Sequence, residues 1–254
     1  MDKSQAIDRS RSNAARWSVR VATLLIVVKA VTGFYVGSLA IVASLIDSLM
    51  DFGSSLANFF AIRQSEKPPD KDHRWGHGKA ESLSGLFQAG VIVTSVVALL
   101  VQSIDRLITP TLLAHVNVGI AVMVFSAICS LGLTLYLRMM AAKYDSLALK
   151  ADSVHYLSDV FTNLAAIVAL VIFKYTGAMW PDPVVSLIMA AILAYSAYEV
   201  GIEALHQLMD RELEPKYEKI ISEAIIASSK YIYGFHELRA RKSGSKVIVE
   251  VHVE

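Results

Sequence analysis

The chain has 254 residues, of which 54% are hydrophobic and 19% are charged, and its mean hydropathy is +0.48. This composition excludes an ordinary soluble domain, which carries more charge and shorter apolar runs, and the net charge of +1 gives no indication of nucleic-acid binding. A single cysteine, Cys129, excludes a disulfide framework and a CxxC metal motif.

The N-terminal residues 1–16 are polar and lack the apolar core and cleavage site of a signal peptide. They predict a cytoplasmic tail in front of an integral membrane domain. A helix that spans the bilayer core needs about 20 mostly apolar residues. The sequence contains six such segments, predicted at residues 17–37, 39–62, 80–104, 114–137, 146–174 and 183–206.

Lysine and arginine in the short loops predict the orientation of these spans. Basic residues concentrate in the N-terminal tail and in the loops after the second and fourth spans, and they are scarce in the other loops. Because positively charged loops stay in the cytoplasm, we expect both termini to be cytoplasmic.

After the sixth span the pattern changes to that of a small α/β domain, residues 207–254. A helix is predicted from Pro215, followed by two strands around an SGS turn, the second with valines at alternate positions. The predicted fold is therefore an all-α membrane domain with six transmembrane helices, residues 17–206, followed by a small cytoplasmic α/β domain.

Two of the predicted spans carry ionisable side chains near mid-membrane. Asp47 and Asp51 are four residues apart in the second span, and His155 and Asp159 have the same spacing in the fifth, so each pair shares one helical face. At 1.5 Å per residue, both pairs lie roughly 15–20 Å from the membrane surface where their span begins. Two antiparallel helices can therefore bring the four groups to one depth.

Each ionisable group at this depth costs roughly 2.5–3.5 kcal/mol on insertion scales, which favours a bound divalent cation. Three carboxylate oxygens and one imidazole nitrogen match the four ligands of tetrahedral Zn²⁺. The alternatives are a hydrogen-bond network between helices and a proton relay without metal. Asp152, one turn before His155, lies nearer the cytoplasmic face, which favours a helix cap or a support for the ligands over direct ligation.

Two further clusters are candidates on spacing alone. In the loop PPDKDHRWGHGKAE, the side chains of Asp70, His73 and His77 could meet, with Asp72 as an alternative carboxylate. The competing interpretation is a solvated loop with incidental histidines. His236 and His252 lie on the two predicted tail strands, and two surface histidines by themselves more often form no site.

These motifs resemble those of the cation diffusion facilitators, a family of transporters that export Zn²⁺ and related ions. The similarity lies in DxxxD (Asp47, Asp51), the loop sequence DHRWGHGKAE and HxxxD (His155, Asp159), in that order along the chain. It covers nearly the whole chain and is closest to the bacterial zinc/iron exporter subgroup.

The resemblance implies a homodimer that works by alternating access, and an inner-membrane location in bacteria. It assigns Asp47, Asp51, His155 and Asp159 to the transport site, and Asp70, His73 and His77 to a loop site with a regulatory role. The tail would be a ferredoxin-like αββαβ domain that binds a metal cluster at the dimer interface. His236 and His252 match two ligands of that cluster, and Lys79 and Asp210 match a salt bridge that holds family dimers together.

In this sequence the last residue, Glu254, follows the αββ portion of that domain. The final helix and strand of the ferredoxin-like fold, with the remaining ligands of the tail cluster, are not in it. The resemblance therefore implies only a partial C-terminal metal site, His236 and His252.

The function predicted from the sequence is proton-coupled efflux of a divalent cation, not an enzymatic activity. Zn²⁺ binding to carboxylates and neutral imidazole releases protons, which favours exchange of metal against protons. The ligand set leaves Cd²⁺, Fe²⁺, Mn²⁺ and Co²⁺ open, with Zn²⁺ ranked first because the histidine in span five is the zinc-type pattern of the family. The alternatives are a passive divalent-cation channel and an intramembrane metal-dependent hydrolase, which would need an HExxH motif that the sequence lacks.

Overall fold

The computed structural model of the protein describes residues 3–36, 39–108, 116–176, 181–228 and 233–254. Within these ranges it has seven helices and two strands. In chain order they are α1 (Lys3–Val36), α2 (Leu39–Ser65), α3 (Lys79–Ile108), α4 (Val116–Tyr144), α5 (Leu147–Thr176), α6 (Pro181–Leu208), α7 (Pro215–Ser228), β1 (Phe235–Ser243) and β2 (Lys246–Val253).

The order of elements confirms a helical N-terminal part followed by a helix and two strands. The first helix is longer than the predicted span 17–37, since α1 begins at Lys3 and includes most of the polar residues of the predicted tail. The stretch has no glycine or proline to interrupt a helix. It is also held by tertiary contacts, because Arg11 and Ser12 are buried.

Three helices of the described ranges are long and apolar enough to cross a membrane, over Lys79–Asp105, Ala121–Tyr144 and Pro183–Leu208. They expose large apolar side chains such as Val101 (62%) and Ile128 (65%), as expected of surfaces that face lipid. The other three long helices, α1, α2 and α5, do not meet this criterion within the described residues, and their membrane crossing stays a prediction.

The long helices pack mainly in pairs: α1 against α2, α3 against α6, and α4 against α5. One apolar cluster joins α1, α2, α4 and α5 around Ile62, Leu137 and Tyr156. A second joins α3, α5 and α6 around Ile92 and Leu193. Among the described residues, α2 and α5 contact each other only over a short stretch, and the candidate ligands lie on these two helices.

The tail contains the predicted helix and hairpin. Strands β1 and β2 pair antiparallel, with His236 opposite His252, and Gly244 adopts a left-handed φ of 62° in the connecting turn. A bulge interrupts the register between His236 and Arg239, and Glu237 within it has a positive φ of 53°. The hairpin is irregular at its histidine end and regular at the turn.

The turn of the hairpin rests on the start of α3. A Cβ added at Gly78 would lie 2.5 Å from the carbonyl oxygen of Ser243, so the two backbones touch where Gly78 has no side chain. Beside this contact, Asp210 accepts a hydrogen bond from Lys79 at 2.9 Å and forms an ion pair with Arg241 at 2.7 Å. Partial burial raises the pKa of Asp210, but the hydrogen bonds from Lys79 and Arg241 outweigh this effect and hold that pKa below its ordinary value.

Substitution of Gly78 by alanine is expected to loosen the hairpin, because the added methyl group overlaps the Ser243 backbone. Overpacking of this kind costs about 1–3 kcal/mol. Amide hydrogen exchange on the full chain in detergent should be faster in β1 and β2 of Gly78→Ala than in the wild type. Gly90→Ala is the matched control, since nothing lies within 4 Å of a Cβ at Gly90, and equal exchange in all three proteins would contradict the prediction.

Candidate functional site

Helices α2 and α5 bring Asp51, His155 and Asp159 together. One ligand atom from each lies within 4.8 Å of the other two, and Nε2 of His155 is 3.1 Å from Oδ1 of Asp51. His155 and Asp159 lie on successive turns of α5, so their side chains leave the helix on the same face. His155 is 2% exposed, which places the cluster in the helix bundle.

Asp47 does not join this group of three, although it lies one turn from Asp51 on α2. Its side chain is exposed. The four predicted ligands are therefore arranged as three that meet and a fourth one helical turn away.

Asp152 lies outside the cluster and is fully buried. Its Oδ2 accepts a hydrogen bond from the hydroxyl of Ser18 at 2.6 Å, and its Oδ1 accepts one from the amide of Gln88 at 3.2 Å. The hydroxyl of Tyr156 lies 2.7 Å from that of Ser55. Polar groups of α1, α2, α3 and α5 thus meet directly beside His155.

The cluster of Asp51, His155 and Asp159 has the chemistry of a divalent-cation site. Carboxylate oxygens and an imidazole nitrogen suit Zn²⁺ and several neighbouring divalent metals. Nδ1 of His155 is buried and has no hydrogen-bond partner among the described residues. Nε2, which faces Asp51, is the nitrogen aimed at the cluster.

A second group of three lies in the loop between α2 and α3. Asp70, His73 and His77 each offer a ligand atom within 4.8 Å of the others. The Asp70 carboxylate is 3.4 Å from Nδ1 of His73 and 3.3 Å from Nε2 of His77. Asp70 and His73 are exposed, whereas His77 is nearly buried, so the group opens to solvent on one side.

The backbone of this loop fixes the Asp70 carboxylate. Oδ1 of Asp70 accepts hydrogen bonds from the N–H groups of His73 at 2.6 Å and Asp72 at 3.0 Å. The N–H of His73 is the main cause of a pKa of Asp70 below its ordinary value, and the N–H of Asp72 acts in the same direction. Asp72, the alternative carboxylate of the sequence analysis, contributes a backbone donor here and lies outside the group of three.

The two tail histidines face each other across the hairpin. His236 and His252 are register partners, and their ring centroids are 5.3 Å apart in a T-shaped arrangement. Nδ1 of His236 is 3.2 Å from Oε1 of Glu254, and Nδ1 of His252 is 3.8 Å from Oε2 of Glu237. Both side chains are exposed.

Sequence reasoning missed a buried ion pair at the end of the helices that contacts the tail hairpin. Arg11 of α1 is 2% exposed and pairs with the fully buried Glu81 of α3. Glu81 also accepts hydrogen bonds from the hydroxyl of Ser146 and the N–H of Ala148 at the start of α5, and Arg11 donates to Ser245 of the hairpin turn at 2.7 Å. The sequence shows an arginine at position 11, but it does not show that residues 3–16 form a helix that brings this arginine against α3.

Comparison with known proteins gives two family matches that together cover almost the whole chain. Residues 16–209 match the family described as the cation efflux transmembrane domain. Residues 214–254 match the family described as the cation efflux protein, cytoplasmic domain.

Curated relatives include proteins named cation-efflux pump FieF. The chain is 36% identical to the protein of Shewanella oneidensis over 95% of its own length and 81% of the relative's. It is 37% identical to that of Escherichia coli over 98% and 83% of the two chains, and 38% identical to that of Citrobacter koseri over the same shares. The chain therefore belongs to the cation diffusion facilitator family, whose members are cation-efflux transporters in membranes and not enzymes.

Proposed function

We propose that the protein exports Zn²⁺ in exchange for protons, through the site formed by Asp51, His155 and Asp159 with Asp47. The observation that carries this proposal is the meeting of an imidazole and two carboxylates from α2 and α5 inside the bundle. Relatives named cation-efflux pumps support the direction of transport.

Asp47 is proposed as the fourth ligand. It lies one turn from Asp51, and a small rotation or tilt of α2 would carry its carboxylate toward the other three groups. A site that gains and loses one ligand with helix movement suits a transporter, which has to bind the cation on one side and release it on the other.

The nature of the ligands supports Zn²⁺ as the first choice among divalent metals. Zn²⁺ accepts a mixed set of oxygen and nitrogen ligands in tetrahedral geometry. Cd²⁺ and Fe²⁺ rank next, and Mn²⁺ and Co²⁺ also bind ligands of this kind. Proton coupling follows from the same chemistry, because carboxylates and imidazole lose any bound protons when the metal arrives.

The wider arrangement is also a proposal. It comprises an N-terminal segment 1–16, a six-span domain 17–206 and a cytoplasmic domain 207–254, with both termini in the cytoplasm of a bacterium and the spans in its inner membrane. We propose a homodimer in which Lys79 and Asp210 strengthen the junction; in the single chain these two residues already pair with each other. His236 and His252 are proposed as part of a tail metal site.

The function can be tested in proteoliposomes that contain the purified full chain and a zinc-sensitive dye. We expect Zn²⁺ uptake when a pH gradient drives exchange, saturation with rising Zn²⁺, and loss of uptake when a protonophore collapses the gradient. Liposomes without protein are the control. The same assay with Cd²⁺, Fe²⁺, Mn²⁺ and Co²⁺ ranks the metals.

Two outcomes would replace this proposal with one of its alternatives. Uptake that is independent of the pH gradient and does not saturate would support a passive channel, since tight four-ligand binding is incompatible with fast conduction. Metal-dependent cleavage of a membrane peptide, without net metal transport, would support a hydrolase.

The loop group is proposed as a second, non-transport metal site. Replacing both Asp70 and His77 with alanine is expected to remove one bound Zn²⁺ per chain and to leave gradient-driven uptake at saturating Zn²⁺ largely intact. The bound metal can be measured by elemental analysis after gel filtration. Asp72→Ala is the matched control, because its carboxylate lies outside the group of three; unchanged stoichiometry in the double variant would contradict the prediction.

A further inference from the structure

Helix α1 places a buried lysine beside the candidate transport site. Lys29 is 8% exposed, and its Nζ donates a hydrogen bond to the hydroxyl of Ser48 at 2.7 Å. Ser48 is itself 1% exposed and directly follows Asp47 on α2. Lys29 thus lies within electrostatic range of the carboxylates of Asp47, Asp51 and Asp159.

The position of Lys29 argues against a role at the membrane surface. It lies 12 residues into the predicted first span, or roughly 18 Å along the helix axis, which is the depth of the two ligand pairs. A lysine near a helix end extends its side chain toward the surface. This one instead donates to a serine that neighbours a proposed ligand on the adjacent helix.

We propose that Lys29 is a positioning and charge-balancing residue of the transport site. This inference rests on the proposed function, and it concerns how tightly the site holds its cation. When no metal is bound, the ammonium group stabilises the carboxylates of Asp47, Asp51 and Asp159. When a divalent cation is bound, the same fixed positive charge repels it, because like charges in a medium of low polarity interact strongly.

The consequence for transport is weaker binding and faster release of the metal. An isolated cluster of three carboxylates and one imidazole would hold Zn²⁺ tightly and release it slowly. A fixed cation nearby lowers that affinity without removing a ligand. Lys29 would thus set the balance between capture and release.

Metal binding to the purified full chain tests this inference, in a background that carries Asp70→Ala and His77→Ala to remove the loop group and His236→Ala and His252→Ala to remove the proposed tail site. Titration of Zn²⁺ against a chelating dye should show that Lys29→Met binds roughly 10-fold more tightly than the parent. In proteoliposomes the same variant should have a lower KM and a lower maximal rate. Lys29→Arg keeps the positive charge and should remain within about twofold of the parent in affinity.

The Lys29→Arg variant separates the effect of charge from the effect of packing. If Lys29 acted only through packing, Lys29→Arg would change the affinity and the KM about as much as Lys29→Met does. If Lys29→Met does not elute as a single species on gel filtration, Lys29→Gln, which is neutral but can still donate to Ser48, takes its place. Unchanged or weaker Zn²⁺ binding in the neutral variant would overturn the inference.

The result is distinguishable from failure of the proposed function. If Asp51→Ala binds and transports Zn²⁺ like the parent, then the site itself is wrong. If Asp51→Ala is inactive and the neutral Lys29 variant has the parent's affinity and KM, only the role of Lys29 is wrong.

Discussion

Asp51→Ala is expected to reduce gradient-driven Zn²⁺ uptake in proteoliposomes by at least about 100-fold. Removal of a residue that only supports a metal ligand already costs up to about 100-fold in metal affinity or activity, and Asp51 is proposed as a ligand itself. Asp51 supplies the only candidate ligand from α2 in the group of three, and its carboxylate contacts Nε2 of His155. Its removal takes away one ligand and also the partner that orients the imidazole. Initial rates of dye-reported Zn²⁺ entry are the measurement.

Glu199→Ala is the control for loss of a carboxylate from a long helix. Glu199 lies on α6, is exposed, and is outside both groups of potential ligands. Its variant should transport at the wild-type rate. If the initial rate of Zn²⁺ uptake by Asp51→Ala equals that of Glu199→Ala, the cluster of Asp51, His155 and Asp159 is not the pathway of the ion.

Arg11→Met is expected to destabilise the folded protein by about 3–5 kcal/mol, since breaking a buried pair by removing one partner leaves an uncompensated charge. Glu81 is fully buried, and Arg11 is its ion-pair partner. The hydroxyl of Ser146 and the N–H of Ala148 would remain as its donors, but neither carries a charge. The fraction of full chain that still elutes as a single peak after heating in detergent is the measurement.

The double variant Arg11→Met with Glu81→Gln separates the unpaired charge from loss of packing. Replacing a buried ion pair by groups without charge is often close to neutral, so the double variant should recover most of the lost stability. If it is no more stable than Arg11→Met alone, the loss comes from packing around Arg11 and not from the unpaired charge of the buried Glu81.

The sequence predicted most of the fold because its helices and hairpin are strongly patterned. Long apolar runs separated by polar or glycine-rich breaks gave each of the six long helices, and alternate valines gave β2. The sequence did not predict that the polar stretch before Trp17 continues the first helix, because its buried contacts to α3 and the hairpin are non-local. No periodicity in residues 3–16 indicates that Arg11 will meet Glu81, which is 70 positions away.

Three of the four candidate ligands on α2 and α5 meet in the structure for a reason that was visible in the sequence: equal spacing at similar positions along two helices. The place of Asp47 was not visible, since it depends on the rotation of α2 about its own axis. The same holds for Lys29 and Ser48, whose hydrogen bond requires a particular approach of α1 to α2. The spacing of residues along a helix predicts which of them share a face. It does not predict which neighbouring helix that face contacts, since this depends on tertiary packing.

The short contact between α2 and α5 has a consequence for stability measured with and without metal. These two helices belong to different packed pairs and share only part of one apolar cluster, so a cation bound by Asp51, His155 and Asp159 would add a further attachment between them. A ligand that binds only the folded state raises its stability by about 2.7 kcal/mol at 100 times its dissociation constant. The difference in melting temperature with and without Zn²⁺ would then measure how much the bound ion stabilises the folded protein. The transporter would be least stable just after it releases the ion.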